Sequence, residues 1–134
     1  MMTYKYPHLA RNVEARDTLI FGEVNPKAYR GGIRYFDGLS LSALHELFAK
    51  GFIDANDRQN DAPAASQILA FMERYPDYTA HGYAVTLDRT DYRVTLEGVT
   101  KGAPADSIDE LEDFTTLFKD ADTFNSAIMD CWFD

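Results

Sequence analysis

Cysteine is almost missing from this sequence: Cys131 stands alone among 134 residues. One thiol closes no internal disulfide, so nothing ties the chain to an oxidising compartment. Beside Asp130 and Trp132, in an acidic and apolar setting, that thiol is expected to be inert. Long apolar runs are missing as well. None approaches the roughly 18 residues a bilayer span needs. The stretch Met1 to Ala10 carries Lys5, Pro7 and His8 where a signal peptide has its apolar core. A cytoplasmic chain with no membrane partner is the expectation.

Basic charge is scarce and unevenly spread. The formal net charge is −9. Residues 1–50 hold seven basic and five acidic side chains, whereas residues 51–134 hold six basic and seventeen acidic. From Asp106 onward nine acids face Lys119 alone. Such a field repels phosphate backbones and favours cationic surfaces. It serves either as a solvated face that keeps the chain soluble or as a patch that docks on a basic partner.

Recognisable catalytic patterns are lacking too. There is no Gly-x-Ser-x-Gly and no Gly-x-x-x-x-Gly-Lys. His8, His45 and His81 show no metal-ligand spacing within one element. No metal or cofactor is expected. The loop Asp54 to Asp61 invites a calcium reading, but the sixth position is Gln59 and the twelfth is Ala65, where glycine and glutamate are required.

What is present is material for a core: 46% of residues are apolar and 13% aromatic. A chain of this length buries about two-thirds of its unfolded surface, which suffices for one domain over residues 1–134. The expected class is α+β, with about three helices and a small antiparallel sheet. Pro7 opens a first helix running to about Arg16, and Thr18–Phe21 follows as a short strand; the alternative is one longer helix holding Leu9, Val13 and Leu19. After the Gly31-Gly32 turn, Ile33 to Phe36 is a further strand. Leu41, Leu44, Leu47 and Phe48 then mark one helical face, capped by Ser40 and closed at Gly51. A second helix starts between Asp61 and Pro63, buries Ala65, Ile68, Leu69, Met72 and Tyr75, and ends at Pro76.

Strict alternation follows at Tyr83, Val85 and Leu87, and again at Tyr92, Val94 and Leu96, around a turn at Asp88–Asp91. Period two on both sides of a polar loop predicts a hairpin within residues 79–99, one face buried and one wet. Ser107 and Glu110 have capping-box spacing ahead of the apolar face Leu111, Phe114, Leu117 and Phe118. The tail Ile128–Phe133 favours strand. Tyr4, Tyr6, Tyr29, Tyr35, Tyr78 and Trp132 fall outside the clear core faces and are candidates for surface contacts.

The order helix, loop, helix, hairpin resembles a winged helix-turn-helix. That resemblance implies a nucleic-acid reader, with the second helix and hairpin on DNA. The charges oppose it: the second helix exposes Ser66, Gln67, Glu73 and Arg74, and Arg89 at the hairpin tip is flanked by Asp88 and Asp91. The leading expectation is therefore a non-enzymatic protein-binding or regulatory domain, with a protein partner or self-association. The alternative is a small-molecule binder or hydrolase. It would combine His81 as general base, Arg93, and the loop residues Asp57, Arg58, Gln59 and Asn60, whose planar groups suit amides or a carboxylate.

Overall fold

The first helix forms where the backbone finds caps. In the computed structural model, which describes residues 3–134, the Asn12 side chain accepts from the Ala15 amide, and Gly22 ends the helix at φ 72°. This helix, α1, spans Val13–Phe21. It replaces both the helix expected from Tyr6 to Arg16 and the strand expected at Thr18–Phe21. Periodicity hides it because its buried residues are Arg16 and Asp17, so no apolar stripe marks its inner face.

After a 3₁₀ turn at Pro26–Ala28 come β1 (Ile33–Leu39) and α2 (Leu41–Ala49). The Ser40 hydroxyl accepts from the Ala43 amide as the sequence predicts. The next helix, α3, spans Ala65–Arg74 and starts later than expected. Asp61 does not cap it. The Gln67 side chain instead reaches back to accept from the Ala64 amide at 2.8 Å. Then follow β2 (Thr79–Val85), β3 (Val94–Thr100), α4 (Ile108–Phe118), β4 (Thr123–Asn125) and β5 (Asp130–Trp132). Among the described residues four α-helices thus accompany one antiparallel sheet in the order β1-β2-β3-β5-β4, a single small α+β domain. Among the described residues no helix is long and apolar enough to cross a membrane.

The main core lies between the sheet and α2, α3 and α4. Leu44, Leu47, Ile68 and Met72 pack with Phe114, Phe118, Val99 and Phe133. Phe71 sits at the aromatic centre, 4.8 Å from the Tyr78 ring and 5.1 Å from that of Phe118. Tyr78 is therefore core rather than surface.

The expected hairpin is present, but it is buried on both faces. Every residue of β2 except Thr79 is buried, as is every residue of β3 except Thr100. The polar loop after α2, the N-terminal segment and Trp132 of β5 cover the outer face. At β3 that face carries the expected polar Arg93 and Thr95, but on β2 it carries Tyr83 and Val85, expected in the core; Ala80 and Ala84 face the core instead. The hairpin is the centre of the sheet rather than a protruding wing. Its connection is also longer than predicted: Leu87 and Tyr92 lie outside the strands, and Thr86 turns to donate to the Gly32 carbonyl.

Candidate functional site

Three of the expected site residues meet on that outer sheet face. The Tyr6 hydroxyl donates to Asp57 Oδ1 at 2.8 Å and the Thr95 hydroxyl to Oδ2 at 2.7 Å. Beside them, Arg93 Nη2 donates to the Tyr83 hydroxyl at 2.8 Å, and that hydroxyl donates to Gln59 Oε1 at 3.1 Å. Burial, then the Asp57 hydrogen bond, pushes the Tyr6 hydroxyl up to about 12. Asp57 thus spends both oxygens within the chain. It fastens the loop Asp54–Asp61 across β3.

Arg58 and Asn60 do not join this group. Both are exposed, Asn60 at φ 52°, and Arg58 Nη1 donates to the nearby Ala62 carbonyl at 3.4 Å. His81 stands apart as well. Its ring stacks on Trp132 with centroids 3.8 Å apart, and the residue is only 1% exposed. Neither ring nitrogen has a hydrogen-bond partner among the described residues. Burial lowers its pKa, opposed in part by the Asp130 carboxylate and the nearby backbone of Cys131 and Val99.

A β-bulge shapes this region. His81 pairs with Gly98 and Gly82 with Leu96, so Glu97 is the extra residue of β3. Gly98 is required there. A Cβ would strike the Cys131 carbonyl oxygen and come within 2.7 Å of His81 Cε1. Glu97 is 4% exposed, and its Oε1 has no hydrogen-bond partner among the described residues. Burial, and then the Asp134 charge, pushes its carboxyl up to about 7, while the Trp132 indole N–H lowers it slightly. His81 and Glu97 both lean on Trp132, yet neither aims at an open cavity.

The concavities lie elsewhere. One, about 450 Å³, is bounded by Pro104, Ala105, Asp106, Ser107, Ile108 and Leu111 at the start of α4, and by Ser126 and Ala127 of the β4–β5 turn. Ser107 caps the helix, its hydroxyl accepting from the Glu110 amide, while Glu110 accepts from the Asp106 amide at 3.0 Å. Lys101 Nζ bonds Asp106 and Glu110 at 2.9 and 3.0 Å, and the Tyr78 hydroxyl also donates to Glu110. The framework of this corner is therefore rigid.

Five large hydrophobic side chains are exposed among the described residues: Val24, Tyr35, Ile108, Phe124 and Ile128. Ile108, 66% exposed, lines the concavity, and Phe124 and Ile128 belong to the hairpin that forms its other wall. Two smaller depressions, about 290 and 230 Å³, run between α3 and α4 and share Gln67 and Leu117. Arg58 borders one of them, and the other holds the Arg74–Asp113 ion pair at 2.8 Å.

Sequence reasoning placed no site at the α4 corner. Its signals in the sequence are the acid-rich stretch from Asp106 onward, offered above as a docking patch for a basic partner, and Ile108, an isoleucine set in the first turn of a helix between the polar Ser107 and Asp109. No family model, curated protein or solved structure matches the chain.

Proposed function

We propose that the protein is a non-catalytic domain that binds another protein through the corner where the start of α4 meets the β4–β5 hairpin. One observation carries this: of the five large hydrophobic side chains exposed among the described residues, three belong to the two elements that wall the concavity of about 450 Å³. Exposed apolar side chains on the walls of a concavity are characteristic of contact sites. The bonded frame beneath it supports pre-organised binding, because little ordering entropy is left to lose. The small-molecule alternative gains no such support, since His81 makes no hydrogen bond to Arg93 or to the Asp57–Asn60 loop.

Site-specific photo-crosslinking in the native host tests this. A photoreactive residue at Ile108 should give a discrete protein adduct that Ala127→Glu abolishes. The same residue at Val24, exposed on the far segment, should give none. Equal adducts from both positions, or none from Ile108, would remove the assignment.

A further inference from the structure

The chemistry around the concavity narrows the partner. We infer that this corner receives a basic amphipathic segment of another protein, one bulky apolar side chain entering beside Ile108 while Lys or Arg side chains reach the acids of α4. This presupposes the protein-binding function above and adds the kind of partner.

The apolar half of the match comes from Pro104, Ala105, Leu111 and Ala127, which line the concavity beside Ile108. They offer carbon surface for an anchor residue. The charged half comes from the local balance. Between Asp106 and Asp122 there are seven acids, namely Asp106, Asp109, Glu110, Glu112, Asp113, Asp120 and Asp122, against Lys119 alone. Asp106, Asp109 and Glu112 are exposed. Glu112 lies one helical turn from Ile108, so apolar and acidic groups share one face of α4. Lys101, just before this stretch, is already committed to Asp106 and Glu110. The positive end of the α4 dipole is met by the Ser107 cap and by Asp109 and Glu110 in the first turn, which leaves the corner acidic.

Other occupants fit less well. A second copy docked two-fold on the same patch would set these carboxylates against one another. Nucleic acid and anionic lipid surfaces are repelled by the same field. A purely apolar segment would gain the anchor but would bring no counter-charge to acids it partly desolvates. A basic rim supplies that charge and steers encounter, while the anchor supplies the contact area.

The test uses the intact protein and three labelled synthetic helical peptides followed by fluorescence anisotropy. One is a lysine-leucine amphipathic peptide, one is its glutamate-leucine counterpart, and one carries the same lysines with glycine in place of leucine. The lysine-leucine peptide should bind alone. Its affinity should fall about tenfold or more when salt is raised from about 50 to about 300 mM. It should fall about tenfold or more in the Asp109→Lys/Glu112→Lys protein and in Ile108→Ser, and stay unchanged in Val24→Ser. Circular dichroism checks that each variant is folded. The salt series on the unaltered protein stands even where a variant is not.

Comparable binding of the glutamate-leucine peptide, or of the glycine peptide, would overturn the inference. So would salt-independent binding, no binding by any peptide, or a dimer of the protein that Ile108→Ser dissociates. Photo-adducts at Ile108 without binding of the lysine-leucine peptide would leave the protein-binding function standing and eliminate the basic partner.

Discussion

Arg16 shows how much a single buried residue decides here. Its guanidinium is fully buried and donates from Nε to Asp17 Oδ1 at 2.9 Å, from Nη1 to the Val85 carbonyl at 2.8 Å and from Nη2 to the Tyr29 hydroxyl at 3.0 Å. Tyr29 in turn donates to Asp17 Oδ2, and Tyr92 lies under the guanidinium at 4.9 Å. Removing one charge leaves the other buried and unpaired, so Arg16→Met should cost about 3–5 kcal/mol. Replacing both, as Arg16→Met/Asp17→Leu, should cost less than the single change. Urea unfolding of the two variants measures the difference. Glu97 works in the opposite sense. Its folded carboxyl titrates near 7, above an unfolded value near 4.5. Its stabilising share is complete below about pH 4.5 and is lost as pH rises through about 7. Glu97→Gln should therefore raise stability at pH 8, by at most about 3 kcal/mol, and change little at pH 4. Thermal melts at the two pH values distinguish this from a pH-independent packing effect.

Among the elements, α2 and α4 were legible because their buried faces are apolar and periodic. Leu44 and Leu47 mark one, Phe114 and Phe118 the other. The hairpin was legible from its period of two, although β2 turns Ala80 and Ala84 to the core rather than Tyr83 and Val85. The helix α1 was not, because it presents Arg16 and Asp17 to the interior and no alphabet of apolar residues records that. The later start of α3 was hidden for a different reason. A Gln67 side chain that folds back on Ala64 replaces the expected Asp61 cap, and the choice depends on where the Asp57 loop is pinned. The site residues were partly legible: Asp57, Gln59 and Arg93 do cluster, but around Tyr83 and Tyr6 rather than around a ligand cavity. The start of α4 is the element where structure and the binding corner coincide. Ser107→Ala removes the hydroxyl that accepts from the Glu110 amide and should cost about 1 kcal/mol. Amide exchange should rise in the first turn of α4 and not in α2. Phe114→Ala, which opens the aromatic core beneath the same helix, should cost about 3–5 kcal/mol by urea titration.

For the whole molecule, the corner that matters most was the least visible beforehand. Ile108, Phe124 and Ile128 are ordinary core-type residues in sequence. Only the return of the β4–β5 hairpin against the start of α4 puts them on the outside together. The charge census, by contrast, needed no structure, and the fold leaves Asp109 and Glu112 exposed on α4 while burying Glu110. At the scale of the chain this predicts association that weakens with salt, checked by the peptide titrations above. The stack of His81 on Trp132 has one more consequence. Trp132 is the only indole in the chain, and it sits in the strand that follows the Ser126–Ala127 turn. Any occupant that shifts this hairpin alters the environment of that one ring and its contact with the imidazole. The emission spectrum of the unlabelled protein thus distinguishes an occupant that moves the hairpin, which shifts it, from one received by a pre-organised corner, which leaves it unaltered.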